Sequence, residues 1–386
     1  MPKLPTLSGR SEVAPFIAMD VLRAANERQA AGLPVVHMEV GEPGARAPRA
    51  VVEAAEAALA GERIAYTEAL GLKDLRQRIA TFYGEEYDVD LSPDRVVVTT
   101  GSTAGFNLAF LAGFDPGDRV AIPSPGYPCY RNILKALDLV AVEIETGPET
   151  RWALTGDMLK KAHAEAPLKG VLVASPANPS GTGMTPEALA DLTQAARDLG
   201  IWFLSDEIYH RLTYGAPAAT ALAFDDNAVV LNSFSKYYCM TGWRIGWMIV
   251  PERMKRPVER LGQNLYISAP YLSQRAAMAA FSATEELEAI KAGYAANRAY
   301  LLETLPKIGI DDMLPADGAF YIYANVSRFT NDSQEFARRM LAEAGVAVTP
   351  GADFDTTRGH NYIRFSFAGT AEAMREATAR LGDGLE

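Results

Sequence analysis

Seven short runs of apolar and β-branched residues constrain the fold more than any other feature of this chain of 386 residues. Strands with such continuous apolar character are typical of a mostly parallel sheet that is covered by helices on both faces. Helical patterns separate several runs; in residues 185–200 a Thr-Pro pair begins the pattern and a glycine ends it. We therefore predict an α/β fold with a mostly parallel seven-stranded sheet. The runs are RVVVTT (95–100), DRVAIPS (118–124), LVAVEIE (139–145), GVLVAS (170–175), IWFLSD (201–206), AVVLNS (228–233) and IGWMIV (245–250).

The last hundred residues have a different pattern, which indicates a second and smaller domain. Strand patterns at 318–326, 345–351 and 362–369 alternate with a helical pattern near 332–344 and a final helix. Hydrophobic residues make up 48% of the chain, enough at this length for two cores. We predict an N-terminal segment at 1–45 that packs with the small domain, a large domain at 46–290 and a small α+β domain at 291–386.

Composition and charge exclude several classes of function. The formal net charge is −11 and no long cluster of lysine and arginine is present, so we expect no nucleic-acid partner. The two cysteines, Cys129 and Cys239, cannot form a disulfide framework, and the four histidines lack metal-ligand spacing. The first residues lack the apolar core of a signal peptide, and no apolar run is long enough to span a membrane. We therefore expect a cytoplasmic protein that binds neither metal nor membrane.

Polar side chains follow four of the predicted strands, at the edge where parallel sheets bind their ligands. The first run leads into GSTAG (101–105), a turn that opens a predicted helix and offers backbone N–H groups to an anion. Taken singly, each of these residues could also be a helix cap, a turn residue or part of the core. Their convergence on one edge favours a ligand site. They are Ser102 and Thr103 in the turn, Asn178 after the fourth run, Asp206 at the end of the fifth run and Tyr209 after it, and Ser233 at the end of the sixth run with Ser235 and Lys236 after it.

Lys236 lies in an apolar and aromatic stretch, SFSKYYCMTGW, with Arg244 eight positions later. The short connection to the seventh run predicts an antiparallel strand that returns Arg244 to the same edge. A half-buried lysine with a solvated amine is one interpretation. Apolar surroundings and a nearby cation, however, lower the pKa of a lysine and favour a reactive amine. Pyridoxal 5′-phosphate fits the whole set, because it needs a Schiff-base lysine, an acidic partner for its ring nitrogen, hydrogen bonds to its phenolic oxygen and an anion site.

Three motifs carry a resemblance to a known family. In their order along the chain, which is also the order in that family, they are SPANPSGT, SDEIY and SFSKYYCMTGWRIG. With them the chain resembles the class I aminotransferases, fold-type I pyridoxal-phosphate-dependent enzymes related to aspartate aminotransferase, over nearly its whole length. The resemblance implies that Lys236 is the Schiff-base lysine and the base that moves the α-proton. It implies that Asp206 pairs with the pyridine nitrogen, and that Tyr209 and Asn178 hold the phenolic oxygen. The phosphate contacts implied are Ser102, Thr103, Ser233, Ser235 and Arg244.

Further residues take their roles from the same resemblance. Tyr127 matches the aromatic residue that stacks on the cofactor ring, although a core aromatic is its other interpretation. Tyr66 resembles the tyrosine that reaches the phosphate of the neighbouring subunit, which implies a homodimer with shared active sites. Gly41 matches a backbone contact to the substrate carboxylate. Arg364 is similar to the arginine that binds the α-carboxylate in bidentate fashion, and an internal ion pair is the alternative.

The resemblance implies transamination between an L-amino acid and a 2-oxo acid by a ping-pong mechanism. One alternative is a β-lyase that acts on cysteine-type substrates with the same cofactor. A cofactor-sensing regulator is another, although the stretch before Gly41 is too short for a DNA-binding domain. Arg260 and Arg275 do not align with the arginine that aspartate-specific members use for the second carboxylate. The apolar helix pattern APFIAMD (14–20) favours a neutral, hydrophobic or aromatic donor.

Overall fold

The seven apolar runs form one sheet in the structure, a computed structural model that describes residues 5–385. The strands of the molecule are β1 (Val36–His37), β2 (Val96–Thr99), β3 (Arg119–Ser124), β4 (Val140–Glu145), β5 (Gly170–Ala174), β6 (Trp202–Asp206), β7 (Val229–Ser233), β8 (Gly246–Ile249), β9 (Tyr321–Asn325), β10 (Val346–Ala347), β11 (Thr349–Pro350) and β12 (Tyr362–Ser366). The order in the large sheet is β2-β8-β7-β6-β5-β3-β4. Its pairs are parallel except those of β8, which is antiparallel to both β2 and β7. The predicted sheet and the antiparallel return are confirmed.

Helices cover both faces of this sheet, because alternate side chains of its strands are buried on opposite sides. Val97, Leu172 and Leu204 pack in one core with the helices at 101–113, 128–136 and 252–265, whereas Val98 and Val171 pack in the other with those at 73–87 and 186–198. The helices are α1 (Ile17–Ala30), α2 (Arg49–Gly61), α3 (Lys73–Tyr87), α4 (Gly101–Gly113), α5 (Pro128–Ala136), α6 (Gly156–Glu165), α7 (Pro186–Asp198), α8 (Glu252–Leu265), α9 (Tyr271–Ala280), α10 (Thr284–Thr304), α11 (Ser333–Arg339) and α12 (Ala371–Leu385). Burial on both faces explains why these strands, apart from the half-exposed edge strand β4, are largely apolar.

Helix α7 shows how the local sequence sets an element. The hydroxyl of Thr185 accepts a hydrogen bond from the Ala188 N–H at 3.2 Å, and Pro186 occupies the first helical position. Gly200 follows the helix with a φ of +65°, a left-handed conformation that favours glycine. The buried face of the helix, which includes Leu189 and Leu192, packs against the large sheet. The predicted start and stop of this helix are confirmed.

A second, antiparallel sheet lies in the C-terminal part of the chain, with the order β11-β12-β9. The N-terminal stretch joins this part: β1 pairs in parallel with β10, and α1 contacts β10 and β11. The helix predicted near 332–344 is divided into α11 and a π-helical turn, Met340–Ala344. Among residues 5–385, no helix is both long and apolar enough to cross a membrane.

Candidate active site

A cavity of about 410 Å³ lies beyond the carboxyl ends of β5 and β6, and it collects most of the predicted site residues. Strand ends, the start of α4 and the loop after β7 supply one side, while α1, Gly41, Tyr321 and Arg364 supply the other. Among the described residues, Ser233 and Tyr66 are the predicted site residues that do not line this cavity. The predicted residues that line it are Gly41, Ser102, Thr103, Tyr127, Asn178, Asp206, Tyr209, Ser235, Lys236, Arg244 and Arg364.

Lys236 has its amine inside this cavity, where Nζ donates a hydrogen bond to the carbonyl oxygen of Gly41. Burial lowers the pKa of Lys236 to about 8, and the positive charges of Arg364 and Arg244 contribute to the same shift. Deprotonation of this amine therefore occurs nearer neutral pH than for an exposed lysine. A neutral amine is the form that attacks a carbonyl carbon and that accepts a proton.

Asp206 ends strand β6 and is buried, with each carboxylate oxygen held by a donor. The N–H of Ile208 donates to Oδ1 at 3.1 Å, and the hydroxyl of Tyr130 donates to Oδ2. Burial raises the pKa of Asp206 to about 6, and the hydrogen bond from Tyr130 opposes this rise. Asp206 is therefore mainly ionised at neutral pH, so the cavity has a fixed negative charge that can pair with a protonated ring nitrogen.

The start of helix α4 forms an anion-binding corner. Gly101 has a φ of +75°, and a Cβ there would lie 2.7 Å from Nη2 of Arg244, so the guanidinium packs directly on the backbone. The free N–H groups of the first helical turn, the positive charge of Arg244 and the hydroxyl of Ser235 are donors suited to a phosphate. Ser233 lies behind them: its hydroxyl donates to Oγ of Ser235 at 2.8 Å. A direct phosphate contact for Ser233 stays a prediction.

Arg364, on strand β12, is buried and its hydrogen-bond partners are uncharged groups. Nη1 donates to the amide oxygen of Asn178 at 2.9 Å, while Nη2 donates to the hydroxyl of Thr349 at 3.1 Å and to the carbonyl of Glu39. The internal ion pair that we considered from the sequence is not the arrangement found. A buried cation without an anionic partner is costly, so this guanidinium is suited to a carboxylate that enters the cavity.

Apolar side chains of α1 and the preceding residue form the outer wall. Phe16, Met19 and Leu22 line the cavity, and the ring of Phe16 packs edge-on against Tyr127 with centroids 5.8 Å apart. Neither Arg260 nor Arg275 lines the cavity in the described part of the chain, and Arg275 forms an ion pair with Glu62 at 2.6 Å. The wall is suited to an apolar substrate side chain.

Two of the tyrosines that line the cavity have no assignment from the sequence. Tyr130 holds Asp206, as described above, and Tyr321 places its hydroxyl 2.8 Å from that of Tyr209. Both tyrosines occur in stretches that read as ordinary core, so nothing in the local sequence separates them from other buried aromatic residues.

Comparison with known proteins identifies the family of the chain. The family model of aminotransferases of class I and II matches residues 34–381. The chain belongs to this aminotransferase family. A valine–pyruvate aminotransferase of Mycobacterium tuberculosis is 50% identical, with 97% of each chain covered.

Solved structures extend the similarity of this aminotransferase to the fold. An aminotransferase from Mycobacterium tuberculosis superposes with a TM-score of 0.96 at 49% identity, covering 99% of both chains. Aspartate aminotransferase from Thermus thermophilus with maleate gives a TM-score of 0.93 at 30% identity, covering 99% of this chain and all of the other. The chain therefore has the aspartate aminotransferase fold, and it transfers amino groups between amino acids and 2-oxo acids. No observation favours the lyase or the regulator.

Proposed function

We propose that this aminotransferase binds pyridoxal 5′-phosphate in the cavity and that its donor is a neutral, aliphatic amino acid. The observation that carries the proposal is the amine of Lys236 in one cavity with the buried carboxylate of Asp206 and the guanidinium of Arg364, which forms no ion pair within residues 5–385. A lysine with a lowered pKa, a buried carboxylate and a separate cation form the set of groups that amino transfer requires.

The residues present fit each part of this cofactor. The phosphate takes the corner formed by Ser102, Thr103, Ser235 and Arg244, where only glycine fits at the helix start. Asp206 faces the ring nitrogen, Tyr209 and Asn178 hold the phenolic oxygen, and Tyr127 stacks on the ring. These assignments use donors and acceptors that already line one cavity.

Pyridoxal 5′-phosphate, when bound, supplies an aldehyde carbon that bonds reversibly to amines and a ring that takes up electrons released at Cα. Arg364 binds the α-carboxylate and so orients Cα toward Lys236, with the backbone at Gly41 beside it. Lys236 would hold the cofactor through its amine when no substrate is bound, and in its free form would accept the α-proton on Nζ. The reaction proceeds in two halves: the amino acid leaves as a 2-oxo acid before a second 2-oxo acid enters.

The substrate assignment rests on the apolar wall and on a relative. Phe16, Met19 and Leu22 offer contact to a branched aliphatic side chain, and the wall contributes no arginine for a second carboxylate. The relative that is 50% identical is named valine–pyruvate aminotransferase. We assign valine, or a similar branched amino acid, as the donor and pyruvate as the acceptor.

The assembly assigned to this enzyme is a cytoplasmic homodimer with shared active sites. Tyr66 is 79% exposed and follows a stretch with further exposed apolar side chains, among them Val52, Leu59 and Ile64. A partner subunit that covers this stretch brings Tyr66 to the phosphate corner of the partner's site. The domain limits at 1–45, 46–290 and 291–386 belong to the same proposal.

The test combines cofactor uptake with product analysis. The purified protein should retain pyridoxal 5′-phosphate after desalting, and valine with pyruvate should yield 3-methyl-2-oxobutanoate and alanine in equal amounts. Lys236→Ala should reduce the transfer rate by about 1,000-fold or more. Lys307→Ala, an exposed lysine paired with Glu303, is the matched control and should leave the rate unchanged. Undiminished transfer by Lys236→Ala, or a higher kcat/KM for aspartate than for valine, contradicts the proposal.

A further inference from the structure

Tyr321 connects two groups of the site that come from different sheets. It is the first residue of β9 in the small sheet, it is fully buried, and it lines the cavity. Its hydroxyl forms a hydrogen bond with the hydroxyl of Tyr209, which lies just after strand β6 of the large sheet. Its ring packs against the guanidinium of Arg364 on the neighbouring strand β12. No role has been assigned to it above.

The hydroxyl of Tyr321 lies 2.8 Å from the hydroxyl of Tyr209. Burial raises the pKa of both phenols, so both remain protonated at neutral pH. Two hydroxyl groups have two protons, and the hydrogen bond between them uses one. When Tyr321 is the donor, the proton of Tyr209 is left for an acceptor in the cavity.

The ring of Tyr321 lies against the guanidinium of Arg364, with Cζ 4.4 Å from the ring centroid. The ring of Phe354 also packs against this guanidinium, at 4.8 Å. Aromatic faces attract a cation and restrict the plane in which its N–H groups point. Asn178 and Thr349 accept hydrogen bonds from the same guanidinium, so its position is fixed both by rings and by acceptors.

Gly41 fixes the position of Tyr321 itself. A Cβ at Gly41 would lie 2.6 Å from the hydroxyl oxygen of Tyr321, so the backbone and this hydroxyl are in close contact. The ring also packs edge-on against Phe320 and Tyr209, with centroids 4.9 and 5.7 Å away. The side chain therefore has little freedom to move away from Tyr209 or Arg364.

We propose that Tyr321 is a positioning residue with two separable actions. Its ring holds Arg364 in the plane that receives the substrate carboxylate, and its hydroxyl donates to Tyr209 so that Tyr209 donates to the phenolic oxygen of the cofactor. This inference rests on the proposed function, because both actions concern groups of that site. The two actions are distinguishable, since phenylalanine keeps the ring and removes only the hydroxyl.

The first experiment compares Tyr321→Phe with the wild-type holoenzyme in a pH titration of its visible absorbance. Without the hydrogen bond from Tyr321, the hydroxyl of Tyr209 is a weaker and less well oriented donor to the phenolic oxygen. A weaker donor favours the protonated form, so the midpoint should rise by about half a pH unit or more. Tyr323→Phe is the matched control. Tyr323 lies two residues from Tyr321 on the same strand, and its buried hydroxyl has no hydrogen-bond partner among residues 5–385. The control should keep the wild-type midpoint. An unchanged midpoint in Tyr321→Phe overturns the action through the hydroxyl.

A double variant shows whether the hydroxyl acts through Tyr209. If it does, Tyr209→Phe combined with Tyr321→Phe should have the same midpoint as Tyr209→Phe alone, because the second hydroxyl then has nothing to orient. Additive shifts overturn this part of the proposal. Released cofactor is removed by desalting before each titration, so that the absorbance comes from holoenzyme even when a variant loses some stability.

The second experiment measures the affinity of isovalerate, a carboxylate without an amino group, for the holoenzyme of each variant. Tyr321→Phe should bind it as the wild type does, whereas Tyr321→Leu should bind about tenfold more weakly. Equal affinity in the two variants overturns the action of the ring. A wild-type protein that takes up no cofactor contradicts the proposed function instead, so the two failures are distinguishable.

Discussion

The amine of Lys236 owes its lowered pKa to burial and to the charges of Arg364 and Arg244. Because a lowered pKa means that the neutral amine is present above about pH 8, this residue should react at a lower pH than an exposed lysine. We expect the rate at which cofactor-free protein takes up pyridoxal 5′-phosphate to rise with pH, with a midpoint near 8. Stopped-flow absorbance measures this rate. Arg364→Met should move the midpoint upward, and a midpoint above pH 10 in the wild type contradicts the assignment.

Tyr130 stabilises the ionised form of Asp206 by its hydrogen bond to Oδ2. In Tyr130→Phe the pKa of Asp206 should therefore rise above its value of about 6, and more of this carboxyl is protonated at neutral pH. The acid limb of the pH profile of kcat/KM should move to higher pH as a consequence. Tyr266→Phe serves as the control and should keep the wild-type profile. Unlike that of Tyr130, the buried hydroxyl of Tyr266 has no hydrogen-bond partner in the described part of the chain.

At the level of single residues, the sequence identifies the groups whose neighbours in the chain are unusual. Lys236 stands in an apolar and aromatic stretch, Asp206 ends an apolar run and Asn178 lies in a loop of prolines and glycines, and the structure places all three on one cavity. Tyr130 and Tyr321 escape this reasoning because their partners are 76 and 112 residues away in the chain. Their contacts arise only when separate strands and helices come together, so no local pattern marks them.

Helix α1 begins with a cap that comes from the far end of the chain. Phe16, at the N-cap position, makes no side-chain cap hydrogen bond. The buried carboxylate of Asp353 instead accepts from the N–H groups of Ile17 and Ala18, at 3.1 and 3.0 Å. Because α1 supplies the apolar wall of the cavity, this cap positions the wall as well as the helix.

Removal of the cap should therefore affect both stability and substrate binding. Asp353→Ala should lower the free energy of unfolding by about 1 kcal/mol or more and raise KM for valine. Urea unfolding and steady-state kinetics measure the two effects. Asp332→Ala is the matched control, since Asp332 caps α11 with bonds to the N–H groups of Gln334 and Glu335. The control should lose stability without a change in KM, and equal KM values in the two variants contradict the role of α1.

At the level of elements, the long strands and helices follow from the sequence, and the strand pattern predicted at 345–351 is found as two short strands, β10 and β11. The pairing of the shortest strands does not follow from the sequence. The seven strands of the large sheet match the seven apolar runs, and all of them except the half-exposed edge strand β4 are largely buried between the helices. Strands β1, β10 and β11 have two residues each, too few to show a period. Their pairing depends on partners elsewhere in the chain, such as β10 for β1.

The proposed dimer predicts that two defective chains can repair each other. Lys236→Ala and Tyr66→Ala should each be impaired as homodimers, Tyr66→Ala most clearly at low cofactor concentration. A heterodimer has one site in which the lysine of one subunit and the tyrosine of its partner are both intact. After subunit exchange at equal amounts, activity should approach about a quarter of the wild-type value. Sedimentation velocity verifies that dimers form, and dimers that show no gain in activity contradict shared sites.

The span of the cavity along the chain has a consequence for biosynthesis. Its lining begins at Phe16 and ends at Arg364, with Lys236 between them. A ribosome-bound chain that has not yet exposed β12 lacks the guanidinium that helps to lower the pKa of Lys236 and the group that receives a carboxylate. In such a chain the amine of Lys236 therefore lacks one of the two cations that add to the effect of burial on its pKa. The full set of groups that line the cavity therefore comes together only after the chain has been made and folded as far as Arg364.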